Sequence, residues 1–193
     1  AQLKELAAGQ RGRGLFYNVD LDLNQGAYLT EAPPELVQVL NAAYRKVSGK
    51  PLPFAEIPDQ FINALLAAED DSYFAHSGVD VMGLMRAVSE LVITGEIVSG
   101  GSTLTMQVAR NYFLNRDRTF MRKFNEILLA VEIEHSLSKQ EIFELYFNRV
   151  FLGHRAYGFE AASEVYYGAS IGELSLSQHA MLAAIPKAPS RIN

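Results

Sequence analysis

Apolar residues recur at helical spacing through most of the chain, and Gly, Pro and Ser breaks cut the pattern into short amphipathic segments. The first clear segment is different. Between Leu15 and Leu29, Val19, Leu21 and Leu23 alternate with Asp20 and Asp22, and Asn24-Gln25-Gly26 then supplies turn chemistry, which predicts a β-hairpin. Asp20, Asp22, Asn24 and Glu31 nearly occupy the ligand positions of a calcium loop. The glycine falls one place late, at Gly26, and no helical pattern precedes it, so the hairpin is the better reading. Pro33-Pro34-Glu35 opens a helix with Leu36, Val37, Leu40, Tyr44 and Val47 on one face, closed by Ser48-Gly49.

The Pro51 to Pro53 stretch reads as a linker, dividing a segment 1–50 from a domain 51–193. Pro58 then starts a helix through Phe61, Ile62, Leu65 and Leu66 that ends near Glu69. Val81, Leu84, Met85, Val88, Leu91 and Val92 mark the next helix, and three glycines from Gly95 to Gly101 predict a mobile loop. Ser102 to Tyr112 predicts a short helix. Thr119 to Ser136 predicts a long one with Phe120, Phe124, Ile127, Leu128 and Val131 buried. Ser138-Lys139-Gln140-Glu141 has the form of a capping box ahead of a helix closed by Gly153. Helices within Arg155 to Gly168 and Ser175 to Ile185 complete a mainly α chain with one hairpin.

Composition narrows the class. With 193 residues, 49% of them hydrophobic, the chain can bury a domain-sized core. A net charge of -5 argues against nucleic acid as a partner. The absence of cysteine removes disulfides, thiolate metal sites and a Cys nucleophile. No apolar run reaches the roughly 20 residues needed to cross a bilayer. The charge is uneven: Arg110, Arg116, Arg118, Arg122 and Lys123 face only Asp117 within one stretch, which predicts a local anion site.

Three segments offer chemistry. Glu69, at a helix end just past an apolar face, is placed where packing can raise its proton affinity toward that of a general base. Acid clusters at helix ends are more often solvated surface. Gly100-Gly101-Ser102 enters a helix with free N–H groups that can meet an anion, although many such caps bind nothing. On that helix Thr103, Gln107 and Arg110 share one face. Arg122 and Lys123 lie one turn from Glu126, a spacing that also serves as a plain ion pair.

Taken together and in order, these segments resemble the peptidoglycan glycosyltransferase module of class A penicillin-binding proteins, glycosyltransferase family 51. Glu69-Asp70-Asp71-Ser72-Tyr73-Phe74-Ala75-His76-Ser77-Gly78 resembles its first motif, and Gly100 to Asn111 the second. Arg122-Lys123-Phe124-Asn125-Glu126 is similar to the third, Lys139 to Gly153 to the fourth, and Arg155 to Ala162 to the fifth. The closing Leu182 to Ser190 is also of this type. Coverage runs from about Pro53 to Asn193. Tyr73, Met106, Arg110, Phe151 and Glu164 depart from the residues common in the family, and residues 1–50 do not resemble its usual lead-in.

The resemblance implies a lysozyme-like helical main lobe with a smaller hydrophobic jaw lobe near the membrane. It implies polymerisation of lipid II into a growing glycan strand, with inversion and release of undecaprenyl diphosphate. Glu69 would be the base, supported by Asp70. Glu126 with Arg122, Lys123 and Arg110 would handle the diphosphate, with a divalent cation, magnesium, held at Glu126. Ser102, Thr103, Gln107, Asn111, Lys139, Glu144 and Asn148 would bind substrate, and His76 and Gly78 would shape the site. The implied setting is the periplasmic face of the bacterial cytoplasmic membrane, the anchor lying outside this chain, with moenomycin-type inhibitors as ligands. Two rivals are a glycan-cleaving enzyme on the same scaffold and a non-catalytic cell-wall module; the first leaves the basic stretch without a task.

Overall fold

The computed structural model describes residues 51–95, 101–113 and 120–187. The hairpin and helix expected before residue 51, most of the loop expected to be mobile, Arg116 and Arg118 lie outside the described residues.

Seven α-helices occupy the described residues: α1 (Asp59–Glu69), α2 (Val81–Thr94), α3 (Leu104–Phe113), α4 (Phe120–Ser136), α5 (Lys139–Arg149), α6 (Phe159–Tyr167) and α7 (Leu176–Ala184). Among those residues the only β pairing is an isolated bridge between Phe151 and Tyr157. The mainly helical architecture expected from the spacing is therefore observed, and it is consistent with a lysozyme-like helical domain.

Local chemistry explains where the helices begin. Pro58, extended at φ -60°, precedes α1 and sets the chain direction without losing a needed N–H. The expected capping box opens α5: the Glu141 N–H donates to Ser138 Oγ at 3.3 Å, and the Ser138 N–H donates to Glu141 Oε2 at 2.8 Å. A parallel arrangement opens α7, where the Ser175 N–H donates to Gln178 Oε1 at 2.8 Å. Gly158 enters α6 at φ +87°. A Cβ there would sit 2.7 Å from the Asn148 carbonyl oxygen, so the α5 to α6 turn requires glycine on two counts.

The core forms around α1 and α5. The buried face of α1, Phe61, Ile62 and Leu65, packs against α7, and α3 packs on both α4 and α5. Fully buried Phe61 meets Phe147 at 5.5 Å and Phe159 at 4.7 Å between ring centroids, both edge to face. Burial of one such ring contributes about 1.5–3 kcal/mol, with about 0.5–1.5 kcal/mol more for each well-placed ring pair. This packing fixes the end of α1 against α3, α5 and α7, which is where the site forms.

Two helices differ from a simple core-facing reading. On α4 the buried line is Glu126, Ala130 and Ile133, whereas Phe124, expected to be buried, is 51% exposed. A carboxylate takes the inward position because two cations accompany it. On α2 the helix forms as expected, yet Val81, Met82, Met85, Val88, Val92 and Ile93 are all well exposed, leaving an apolar face uncovered by the described residues.

Candidate active site

Glu69 is the last residue of α1, and Asp70 leaves the helix at φ -163° and ψ 78°. That change of direction sends the two neighbouring carboxylates different ways. Asp70 is buried and turns into the protein: His76 Nε2 lies 3.0 Å from Oδ1, and the Leu104 N–H donates to Oδ2 at 2.8 Å. A carboxylate can only accept, so Nε2 carries the proton. Asp70 thus pins the first N–H of α3, where the helix dipole favours a negative charge. It acts as a tie between α1 and α3, and His76 holds it.

Glu69 faces the other way. Gln107 Nε2 donates to its Oε2 at 2.7 Å, and its buried Oε1 has no hydrogen-bond partner among the described residues. Burial pushes the proton affinity of Glu69 up. The Gln107 amide, Lys187 and Arg110 oppose that rise, and the Asp70 charge adds to it. The result is a carboxyl shifted toward neutrality with one oxygen uncommitted, the condition for taking a proton from a bound hydroxyl.

Gln107 is itself held. Arg110 Nη2 and the Tyr146 hydroxyl both donate to its Oε1, each at 3.4 Å. Gln107 and Arg110 therefore share the face expected from their spacing, and that face meets Glu69.

A second group gathers at the entry to α3. Lys123 Nζ donates to Ser102 Oγ at 2.6 Å and to Glu126 Oε2 at 2.9 Å, and Arg122 Nη1 lies 3.3 Å from Glu126 Oε1. The Glu126 side chain is 1% exposed, while those of Arg122 and Lys123 are 22% and 36% exposed. Glu126 accordingly sits beneath its cations and aims them outward. Such a carboxylate is poorly placed to hold magnesium, which needs an open oxygen in a near-octahedral set. Among the described residues no three His, Cys, Asp or Glu side chains gather as a metal site. A cation held at Glu126 would have to displace Arg122 or Lys123 from its carboxylate.

Other expected site residues have their polar groups engaged within the protein. Thr103 is buried, and its hydroxyl donates to the Gly78 carbonyl at 2.6 Å while accepting from the Met106 N–H at 3.1 Å. Gly78 has φ +85°, and a Cβ there would meet the Ala130 carbonyl oxygen at 2.7 Å. Lys139 pairs with Glu134 at 2.7 Å and lies over the Tyr73 ring at 4.4 Å. Asn148 exchanges two hydrogen bonds with the backbone of Leu52, and Glu144 accepts the Phe54 N–H, so both anchor the segment before α1. Asn111 is exposed on α3.

The residue reasoning from spacing missed is Lys187, in the last 3₁₀ turn (Ile185–Lys187), whose charge acts on Glu69. It lies in the closing stretch that carried the resemblance, but no periodicity links it to Glu69.

A family model described as transglycosylase matches residues 35–193. The chain belongs to the transglycosylase family. It is thus of the peptidoglycan glycosyltransferase kind that the five motifs resemble. Among curated relatives of the domain, penicillin-binding protein 1A of Pseudomonas aeruginosa is 60% identical over 143 residues, 74% of this chain and 17% of that protein. The protein of the same name from Neisseria gonorrhoeae is 51% identical over 138 residues, 72% of this chain and 17% of its own length. That of Haemophilus influenzae is 42% identical over 182 residues, 94% of this chain and 21% of its own. This transglycosylase chain therefore spans about a fifth of the length of these relatives.

Proposed function

We propose that the domain polymerises lipid II. The C4 hydroxyl of an acceptor GlcNAc attacks the anomeric carbon of the donor MurNAc from the face opposite the leaving group. The new bond joins the acceptor oxygen to that carbon, and the carbon to phosphate-oxygen bond breaks with inversion. The hydroxyl proton passes to Glu69, and the electron pair leaves with undecaprenyl diphosphate. The observation that carries this reading is the Glu69 carboxylate, shifted toward neutrality by burial and held by Gln107 at one oxygen, with the other uncommitted.

Leaving-group charge needs cations fixed before the reaction begins. Arg122 and Lys123, aimed by Glu126, and Arg110 beside Gln107 supply them, and Lys187 adds a fourth near the base. A glycan-cleaving enzyme needs an acid beside the glycosidic oxygen and no such cluster of positive charge, so transfer is favoured over cleavage.

The remaining partners follow from the same reading. The exposed apolar face of α2 (Met82, Met85, Val92 and Ile93) suits contact with a lipid surface from which an undecaprenyl-linked substrate is drawn. No helix among the described residues is long and apolar enough to cross a membrane. In this reading α2 rests on the bilayer surface, on its periplasmic side. Moenomycin-type inhibitors are expected to compete with lipid II for this site.

The decisive test is Glu69→Gln assayed for lipid II polymerisation. Loss of a positioned general base lowers turnover by about 10²–10⁴-fold. Undiminished polymerisation by folded variant would remove the assignment.

A further inference from the structure

We propose that Tyr146 is a positioning residue for the base: its buried hydroxyl locks the Gln107 amide in the orientation that presents N–H to Glu69. This rests on the reading of Glu69 as the base and extends it to what fixes the base's working pH range.

A primary amide is nearly symmetric in shape, and its two ends differ only in what they can bond. Turned one way, Gln107 donates to the Glu69 carboxylate; turned the other, it presents an oxygen that an anionic carboxylate repels. The first orientation is seen, with 2.7 Å between Nε2 and Oε2. What selects it is the pair of donors on the opposite end, Tyr146 and Arg110.

The two donors are not equal. Arg110 is a partly exposed, flexible side chain, whereas Tyr146 is 1% exposed in the core face of α5. Burial, and secondarily the negative charge of Glu69, hold the phenol proton on well above its ordinary range, with Arg110 opposing. Tyr146 is therefore a donor at every pH at which the domain works.

The groups that act on Glu69 come from four places. Asp70 follows it in the chain, Gln107 and Arg110 come from α3, Tyr146 from α5, and Lys187 from the last turn. Asp70, Arg110 and Lys187 act through charge, which salt screens where water reaches. Tyr146 acts through a neutral hydrogen bond on a buried amide, and that chain of bonds polarises cooperatively. Its influence is independent of ionic strength.

The test uses the full 193-residue chain. Tyr146→Phe and a chain with 3-fluorotyrosine replacing Tyr146 are compared with the parent for lipid II turnover between about pH 4 and 9, at low and high salt. The acid limb of kcat/KM reports the base in the free enzyme. In Tyr146→Phe it moves to higher pH by about half a unit, the size expected for one modest hydrogen bond. With 3-fluorotyrosine, a stronger donor, it moves to lower pH. Neither shift changes with salt. In a Gln107→Ala background, Tyr146→Phe moves the limb no further, because its path to Glu69 is gone.

An unmoved acid limb in folded Tyr146→Phe, or an equal shift in the Gln107→Ala background, overturns the proposal. If Tyr146→Phe does not fold, the 3-fluorotyrosine chain decides: a limb that stays in place overturns it. Glu69→Gln separates the two levels. Undiminished turnover there removes the base itself, whereas lost turnover with an unmoved limb in the Tyr146 variants removes only the role given to Tyr146.

Discussion

Gly78→Ala tests how the site is braced. Gly78 has φ +85°, a backbone conformation that costs an L side chain about 1–2 kcal/mol. The added Cβ would lie 2.7 Å from the Ala130 carbonyl oxygen, 2.9 Å from its carbon and 2.9 Å from Glu134 Cγ. Two of those atoms are α4 backbone and cannot swing aside, so overpacking adds about 1–3 kcal/mol. Reduced freedom of the unfolded chain returns about 0.4–1 kcal/mol. The net loss is roughly 1–4.5 kcal/mol, and for a domain of this size each kcal/mol lowers Tm by about 2–4 °C. Thermal unfolding followed by circular dichroism should therefore show Tm lowered by roughly 2–18 °C. The damage reaches the site, because the Gly78 carbonyl holds Thr103 at the entry to α3. Lipid II turnover measured well below the new Tm should fall too. A Tm within about 2 °C of the parent would refute the steric reasoning.

Other outcomes follow from the same contacts. Glu69→Gln should raise Tm at neutral pH even as it removes activity. The folded proton affinity of Glu69 is raised by burial, so stability is lost as pH rises from the ordinary value of 4.5 through the higher folded value. That gain should fade as pH falls and vanish below the ordinary value of 4.5, where the carboxyl is protonated in both states; a gain that persists at low pH would contradict the linkage. Asn148→Ala removes both side-chain bonds to Leu52 and leaves part-buried backbone groups unpaired, which should lower stability to urea by about 1–3 kcal/mol. Unchanged urea midpoints would show that the segment before α1 does not depend on it.

The fold was legible wherever a local rule governs. Ser138 and Glu141 announced α5, Pro58 announced α1, and both begin where those residues place them. Burial was less legible, because hydropathy assigns every charge to water. On α4 it pointed Phe124 inward, while the inward residue is Glu126, whose charge is met by neighbours on its own helix. The site was legible as a set of segments, and Gln107 and Arg110 do share a face. That Gln107 meets Glu69 across 38 positions of chain is a tertiary fact with no local signature. The same holds for Lys187 near Glu69 and for Asp70 on the first N–H of α3. Thr103, Glu144 and Asn148 show the converse: residues carried by motif resemblance have their hydrogen bonds in the scaffold.

The packing of α1 on α7 has a consequence for how the domain comes into being. Glu69 is synthesised before the surface that fixes its helix, which lies more than a hundred residues downstream, as does Lys187. Contacts of such sequence separation form late, after the loop-closure entropy of the intervening chain has been met. On the ribosome, α1 through α6 emerge before α7 exists to receive them. The Glu69 carboxylate is therefore made well before the helix that fixes it and is put in place late, so a stalled nascent chain carries the acid without the environment that tunes it.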